Sequence, residues 1–232
     1  HYIQAAAWDR IVQVTERVGW RFFEEGRWDT LADWLEAVPA DELTRQPKLM
    51  IWKARILHYL NQVDRALALL AQAVASLDAG GDPAALAEAL VTRGMCLRVK
   101  GNYTESREAL ARARAVLLQH EGPISALTEA RKELGITLSL CGELGQAIQE
   151  LTAVLDIYEA QGDTYNIAHT SDQLAVALGL AGRLEEGATH LERARQRWMK
   201  LGNDHRLIET IVNLAVMYYL QGDYENSEGA VR

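Results

Sequence analysis

His169 and Asp172 stand three residues apart in a stretch of helical composition. That spacing sets an imidazole and a carboxylate on one helix face and could open a metal site. Nothing supplies two more ligands nearby, so no metal site is assigned to the pair. Glu185 and Glu186 are adjacent carboxylates, the raw material of acid–base chemistry. Lying just after Gly182, they fit better as solvated residues of a helix start, where the helix dipole favours negative charge. Cys96 and Cys141 could sense redox state, but no cationic cluster adjoins either to lower a thiol pKa. Both are expected as buried small hydrophobes. The patterns Gly-x-x-x-x-Gly-Lys, His-Glu-x-x-His and Gly-x-Ser-x-Gly are missing from the sequence, so no phosphate loop, metalloprotease or hydrolase chemistry is anticipated. The expectation is a chain that binds rather than catalyses, with no catalytic residue, no metal and no cofactor in this segment.

Composition points the same way. Of 232 residues, 49% are hydrophobic and 24% charged, and only four are proline (Pro39, Pro47, Pro83 and Pro123). Ala, Leu, Glu, Arg and Gln, which lose least on entering a helix, predominate. The net charge of −8 leaves no basic field to neutralise a phosphate backbone, so no nucleic acid contact is expected of this segment. Two cysteines are too few for a disulfide framework and fit a reducing cytoplasm. There is no uninterrupted apolar run long enough to span a membrane, and the opening "HYIQAAAWDR" lacks the order of a signal peptide. A cytoplasmic location without membrane contact is expected.

The helices that must position any site are set out by a repeat. Gly followed one residue later by an aromatic or Leu occurs at Gly26, Gly101, Gly142, Gly182 and Gly222, and Asn61 fills the remaining slot; the spacings are 35, 40, 41, 40 and 40. Five residues after the turn come Ala66, Ser106, Ala147, Gly187 and Ser227, with Leu31 the exception. Nine after it come Leu35, Leu70, Leu110, Leu151 and Leu191, and seven before it Gly19, Ala54, Gly94, Gly135, Ala175 and Ala215. Small residues recur where two helices approach closely, and large apolar ones where a gap is filled. From Leu144, the residues Ala147, Ile148, Leu151, Val154, Leu155 and Tyr158 make a one-faced helical stripe. "GGDP", "EGP", "QGDT" and "LGND" place helix stops, prolines and capping residues between helices. Each unit is thus a helical hairpin that buries one face and must stack on its neighbours. The fold is expected to be all-α, a right-handed α-solenoid of about six hairpins in a single domain. The units run near 4–39, 47–79, 83–120, 123–161, 164–201 and 204–232, the last truncated, within a larger multidomain protein.

The small residue before the turn, the Gly-x-aromatic/Leu turn and the small-then-Leu pattern after it resemble the tetratricopeptide repeat, most closely in "NLAVMYYLQGDYENS". Asn61, Leu31, Lys53 and Arg93 depart from that pattern. The segment "LADWLEAVPADELTRQPKLMIWKARILHYLNQVDRALALL" further resembles the start of the helical sensor region of MalT-type LuxR-family regulators, a branch of the signal-transduction ATPases. The matching residues are Trp34, Leu35, Pro39, Leu43, Pro47 and Leu49. The resemblance implies a separate ATP-binding module and a DNA-binding domain elsewhere in a longer protein, with this array holding a peptide, protein or small-molecule inducer in its concave groove. By repeat register the groove would be lined by Arg55, His58, Tyr59, Glu88, Arg98, Glu129, Lys132, Ser139, His169, Asp172, Asn213 and Tyr219.

Trp8, Trp20, Trp28, Trp34 and Trp52 cluster in the first quarter of the chain, either as ring packing or as an aromatic platform for a sugar or peptide. The arginines of "ARARAV" and "ERARQRW" are expected on solvated second helices with Glu partners. A free-standing adaptor that grips a peptide is the alternative to a regulator's sensor, and a helical enzyme domain is a third. The register itself makes a prediction. Leu151→Ala should cost roughly 2–5 kcal/mol in urea unfolding, while Glu150→Ala should be close to neutral.

Overall fold

The turn positions decide where each helix ends. Gly101, Gly142, Gly182 and Gly222 all take the left-handed conformation, with φ between 76° and 79°, and Asn61 takes it at φ 58°. Asn is the residue that tolerates this region best after Gly, because its short amide bonds locally. The substitution at Asn61 therefore preserves the turn. In the stops "QGDT" and "LGND", Gly162 and Gly202 close their helices in the same conformation. The next residues cap the following helix: the Asn166 N–H donates to Asp163 Oδ1 and the Arg206 N–H to Asn203 Oδ1, both at 3.1 Å. At "GGDP" the Ala84 N–H donates to Asp82 Oδ1 at 2.9 Å, with Pro83 in the first turn where its missing N–H costs nothing.

The computed structural model describes residues 28–230, with 10, 11, 13–15 and 17–19, and all regular structure among them is helical. The helices are α1 (Trp28–Glu36), α2 (Ala40–Arg45), α3 (Pro47–Tyr59), α4 (Val63–Asp78), α5 (Pro83–Val99), α6 (Tyr103–Gln119), α7 (Ile124–Leu140), α8 (Leu144–Gln161), α9 (Thr164–Leu180), α10 (Leu184–Leu201), α11 (Asp204–Gln221) and α12 (Tyr224–Ala230). They form the antiparallel hairpins of an all-α solenoid fold. Two compact units divide the chain, residues 1–130 and 131–232.

In the first unit, α5 and α6 meet at Gly94. A Cβ there would lie 2.5 Å from Leu110 Cγ, and the Ser106 hydroxyl donates to the Gly94 carbonyl at 2.8 Å. The small residue before the turn, the small residue after it and the Leu beyond thus occupy one contact. Leu70 and Leu110 are fully buried. Lys53, a departure from the repeat pattern, keeps its stem inside. Its ammonium reaches Glu36 at 3.2 Å and the Leu35 carbonyl at 3.4 Å, so the charge is carried to α1 rather than lost in the core.

In the second unit the same contact recurs. A Cβ on Gly135 would come 2.8 Å from Leu151 Cγ, and the Ser227 hydroxyl donates to the Ala215 carbonyl at 2.9 Å. Leu151 and Leu191 are fully buried. Around them Ala175, Ala188, Leu191, Leu214 and Met217 form one cluster, and Ala168, Ala194 and Trp198 another that Leu207 closes.

Glu150 departs from the expectation of neutrality. It is buried, and Arg131 Nε donates to its Oε2 at 2.6 Å across α7 and α8. Its loss strands a part-buried guanidinium, so Glu150→Ala is expected to cost about 1–3 kcal/mol, still less than Leu151→Ala. Two glycines separate packing from propensity. Gly94→Ala should destabilise by about 1–2 kcal/mol through overpacking although Ala is the better helix former. Gly145→Ala, with open space around it, should be neutral or stabilise by up to about 1 kcal/mol; urea unfolding followed by circular dichroism reads both.

Candidate functional site

The first helix of a hairpin carries its apolar residues toward its neighbours, which leaves its polar positions on the wall between successive first helices. In the first unit α3 and α5 set such a wall. Arg55 on α3 pairs with Glu88 on α5 at 2.6 Å. The guanidinium also lies 5.4 Å from the centroid of the Trp52 ring, within cation–π range. Trp52 is buried, so the ring anchors the cation from beneath. One turn on, His58 meets Tyr59 edge to face at 5.6 Å, and its Nδ1 lies 3.7 Å from the Cys96 thiol of α5. Tyr59 is 44% exposed, whereas Arg98 and Glu129 are half-buried. The first unit therefore joins Arg55 to Glu88 and His58 to Tyr59 along α3 and α5.

The second unit treats its predicted residues differently. Lys132 and Ser139 on α7 are buried, and the Ser139 hydroxyl donates to its own helix at Gly135 O, 3.1 Å away. His169 and Asn213 are half-buried. Tyr219 is 61% exposed and packs edge-on against Tyr224 across the turn, with centroids 5.5 Å apart. Asp172, expected on an exposed wall, is buried instead. It accepts from the Trp198 indole N–H on α10 at 2.7 Å, and its Oδ1 lies 2.8 Å from the Thr210 hydroxyl of α11. The cause is the neighbouring side chains: small Ala168 and large Trp198 and Leu207 close over this part of α9.

Burial pushes the Asp172 carboxyl up to about 6; the Trp198 and Thr210 contacts and the charge of Arg206 pull against that rise, and Glu209 adds to it. Among the described residues no group of three His, Cys, Asp or Glu is placed to hold a metal ion, and no helix is long and apolar enough to cross a membrane. Of the tryptophans, Trp34 is half-buried and Trp52 buried; Trp8, Trp20 and the Trp28 side chain lie outside the described residues.

The sequence pattern missed Trp198 and Thr210. Trp198 follows Leu191 and Ala194 at helical spacing, a stripe that marks it as inward-facing inside the arginine-rich "ERARQRW". Nothing local marks Thr210 as the partner of a residue 38 positions earlier. Cys96 is fully buried as expected, but Cys141 lies in the turn just after α7 and is half-exposed.

The tetratricopeptide-repeat family model matches residues 163–230, the span of α9 to α12. No curated protein matches the chain. Solved structures do match. BtubC (BKLC) from P. vanneervenii superposes with a TM-score of 0.70 at 14% identity, over 100% of this chain and 89% of that one. A Rap protein complexed with Competence and Sporulation Factor gives 0.72 at 12% identity, over 97% of this chain and 60% of its own. The STAND protein PH0952 from Pyrococcus horikoshii, which carries a tetratricopeptide repeat sensor, gives 0.74 at 15%, over 96% of this chain and 36% of its own. The shared property is the fold.

Desolvation pushes the Cys96 thiol up to about 12, which removes the reactive thiolate at neutral pH. Iodoacetamide at mildly alkaline pH should therefore label Cys141 well before Cys96, with Cys96 reacting only on unfolding; peptide mass spectrometry of timed samples reads the order.

Proposed function

We propose that this chain is a non-catalytic binding module and serves as the sensor segment of a multidomain, MalT-type transcriptional regulator. The observation that carries this is the wall of α3 and α5. An anchored Arg55–Glu88 pair beside an exposed Tyr59 offers charge, hydrogen bonds and a ring face to a polar ligand, with the cation held in place beforehand by Trp52. Pre-organisation of this kind lowers the entropy cost of binding. The occupant is a peptide, a protein segment or a small-molecule inducer; on the second unit, taken by itself, Tyr219 and Asn213 are the candidate contacts. The STAND protein with a repeat sensor supports the regulator reading, because its fold accommodates nearly all of this chain within about a third of its own length. In that arrangement ATP and DNA are handled by separate domains. Ligand binding then acts by favouring one of two arrangements of the protein, which requires different affinities for the two.

A second reading, a free-standing cytoplasmic adaptor that grips a peptide, is favoured by the Rap structure complexed with Competence and Sporulation Factor. The size of the native polypeptide separates the two. Immunoblotting source cells with an antibody against this chain should give a band several times larger than 25.8 kDa for a regulator; a band near that mass favours the adaptor. Either way, Arg55→Ala combined with Tyr59→Ala should weaken a peptide selected from a displayed random library by tenfold or more, about 1.4 kcal/mol, measured well below the melting temperature of the variant. Unchanged affinity would remove the α3–α5 wall as the site.

A further inference from the structure

Asp172 binds together three helices of two consecutive hairpins, and the hydrogens available to it do not add up while it is ionised. The Thr210 hydroxyl oxygen lies 2.8 Å from Asp172 Oδ1 and 2.9 Å from the Arg206 carbonyl. Both neighbours are acceptors when Asp172 is a carboxylate, and a hydroxyl has one hydrogen to give. One of the two contacts must then go without a hydrogen bond. A proton on Oδ1 resolves the conflict. Asp172 then donates to Thr210 Oγ1, Thr210 donates to the Arg206 carbonyl, and Oδ2 still accepts the Trp198 N–H at 2.7 Å. Every contact in the chain carries a hydrogen in that state, whereas in the ionised one the Arg206 carbonyl keeps only its own helix bond and sits against the Thr210 oxygen without one.

The surroundings favour the neutral form as well. α10 faces Asp172 with the uncharged indole of Trp198, and Arg195 on that helix is paired with Glu192 at 3.0 Å. α11 brings Arg206 and Glu209, bonded to each other at 2.8 Å, so their fields at Asp172 oppose. On α9 itself, Tyr165 packs edge-on against Trp198 at 5.2 Å, and His169 lies one turn away. Among the described residues no cation makes an ion pair with the buried carboxyl.

This matters for α11 because few of its residues are buried. They are Thr210, Leu214 and Met217, while Ile208, Val212 and Val216 are each more than half exposed. The Asp172 contact is thus one of the few buried ties of the helix to α9 and α10, beside those of Leu214 and Met217. We propose that Asp172 is a proton-operated latch: protonated, it holds the α11–α12 hairpin against α9–α10; on losing its proton to solvent, it loosens that hairpin.

The sign follows from linkage. A carboxyl held at about 6 in the folded chain against an ordinary 3.8 supplies its full stabilisation below the ordinary value, and that stabilisation is lost as pH rises through about 6. Between about pH 5 and pH 7.5, the opening equilibrium of α11 should rise about tenfold. Hydrogen exchange of the α11 amides in the whole chain, corrected for intrinsic exchange rates, measures that equilibrium. Asp172→Asn keeps a donor toward Thr210 and an acceptor toward Trp198, so it should hold α11 closed at both pH values. A wild-type chain without the pH effect, or a variant that retains it, overturns the latch. If Asp172→Asn does not fold, the carboxyl carbon resonance of Asp172 in the wild-type chain decides. A midpoint near 6 is expected, and one near 4 refutes the proposal.

Discussion

The close approach of two helices just before and after each turn is the constraint on which everything else hangs. At Gly94 there is no room for a Cβ beside Leu110, and at Gly135 none beside Leu151. The contact fixes rotation as well as distance. With one face of each helix committed to its hairpin partner, the apolar residues left over must be covered by the next hairpin, and the polar ones fall on the wall between first helices. Where the small residue after the turn is Ser, its hydroxyl turns a steric allowance into a bond with the opposite backbone, from Ser106 to Gly94 and from Ser227 to Ala215. The backbone carbonyl receiving it already serves its own helix, so this second bond fixes the axial register without unsatisfying anything.

Charge is distributed to suit such stacking. The chain is acidic overall, yet its basic residues bridge successive helices of the first unit, as in Lys100 with Asp64 at 2.6 Å and Arg112 with Asp78. These pairs are exposed and individually weak. Their value is selective, since like charges in the same places would oppose stacking in the wrong register. The Arg55–Glu88 pair is different in kind. It is more sheltered and backed by an aromatic ring, which makes it an organised surface feature and not only a strut.

The fold was legible in the sequence because its determinants are periodic. Leu70, Leu110, Leu151 and Leu191 keep one distance from their turns and are all fully buried, and Asn61 could be placed at a turn by spacing alone. The candidate site was legible only in part. Arg55 and Glu88 were named separately as groove residues, and the structure joins them. Asp172 has the right register for the wall, but its exposure depends on what lies above it, and Trp198 and Thr210 are 26 and 38 residues away. Glu150 was misjudged for the same reason, its partner Arg131 lying on the preceding helix. Side-chain pairs of this kind leave no periodic trace, because each takes one residue from each helix and, unlike the Ser106 and Ser227 bonds to backbone, does not recur at the repeat.

The hydroxyl-to-carbonyl bonds from Ser106 and Ser227 lie near the loop ends of their hairpins, with Gly101 and Gly222 only a few residues away. A hairpin clasped there behaves mechanically like a pair of tongs joined at the hinge. Its far ends are held by packing alone, so a change of spacing there bends the helices and leaves their register untouched. Helices joined in this way can part a little at their free ends without slipping by a turn and settle back to the same register.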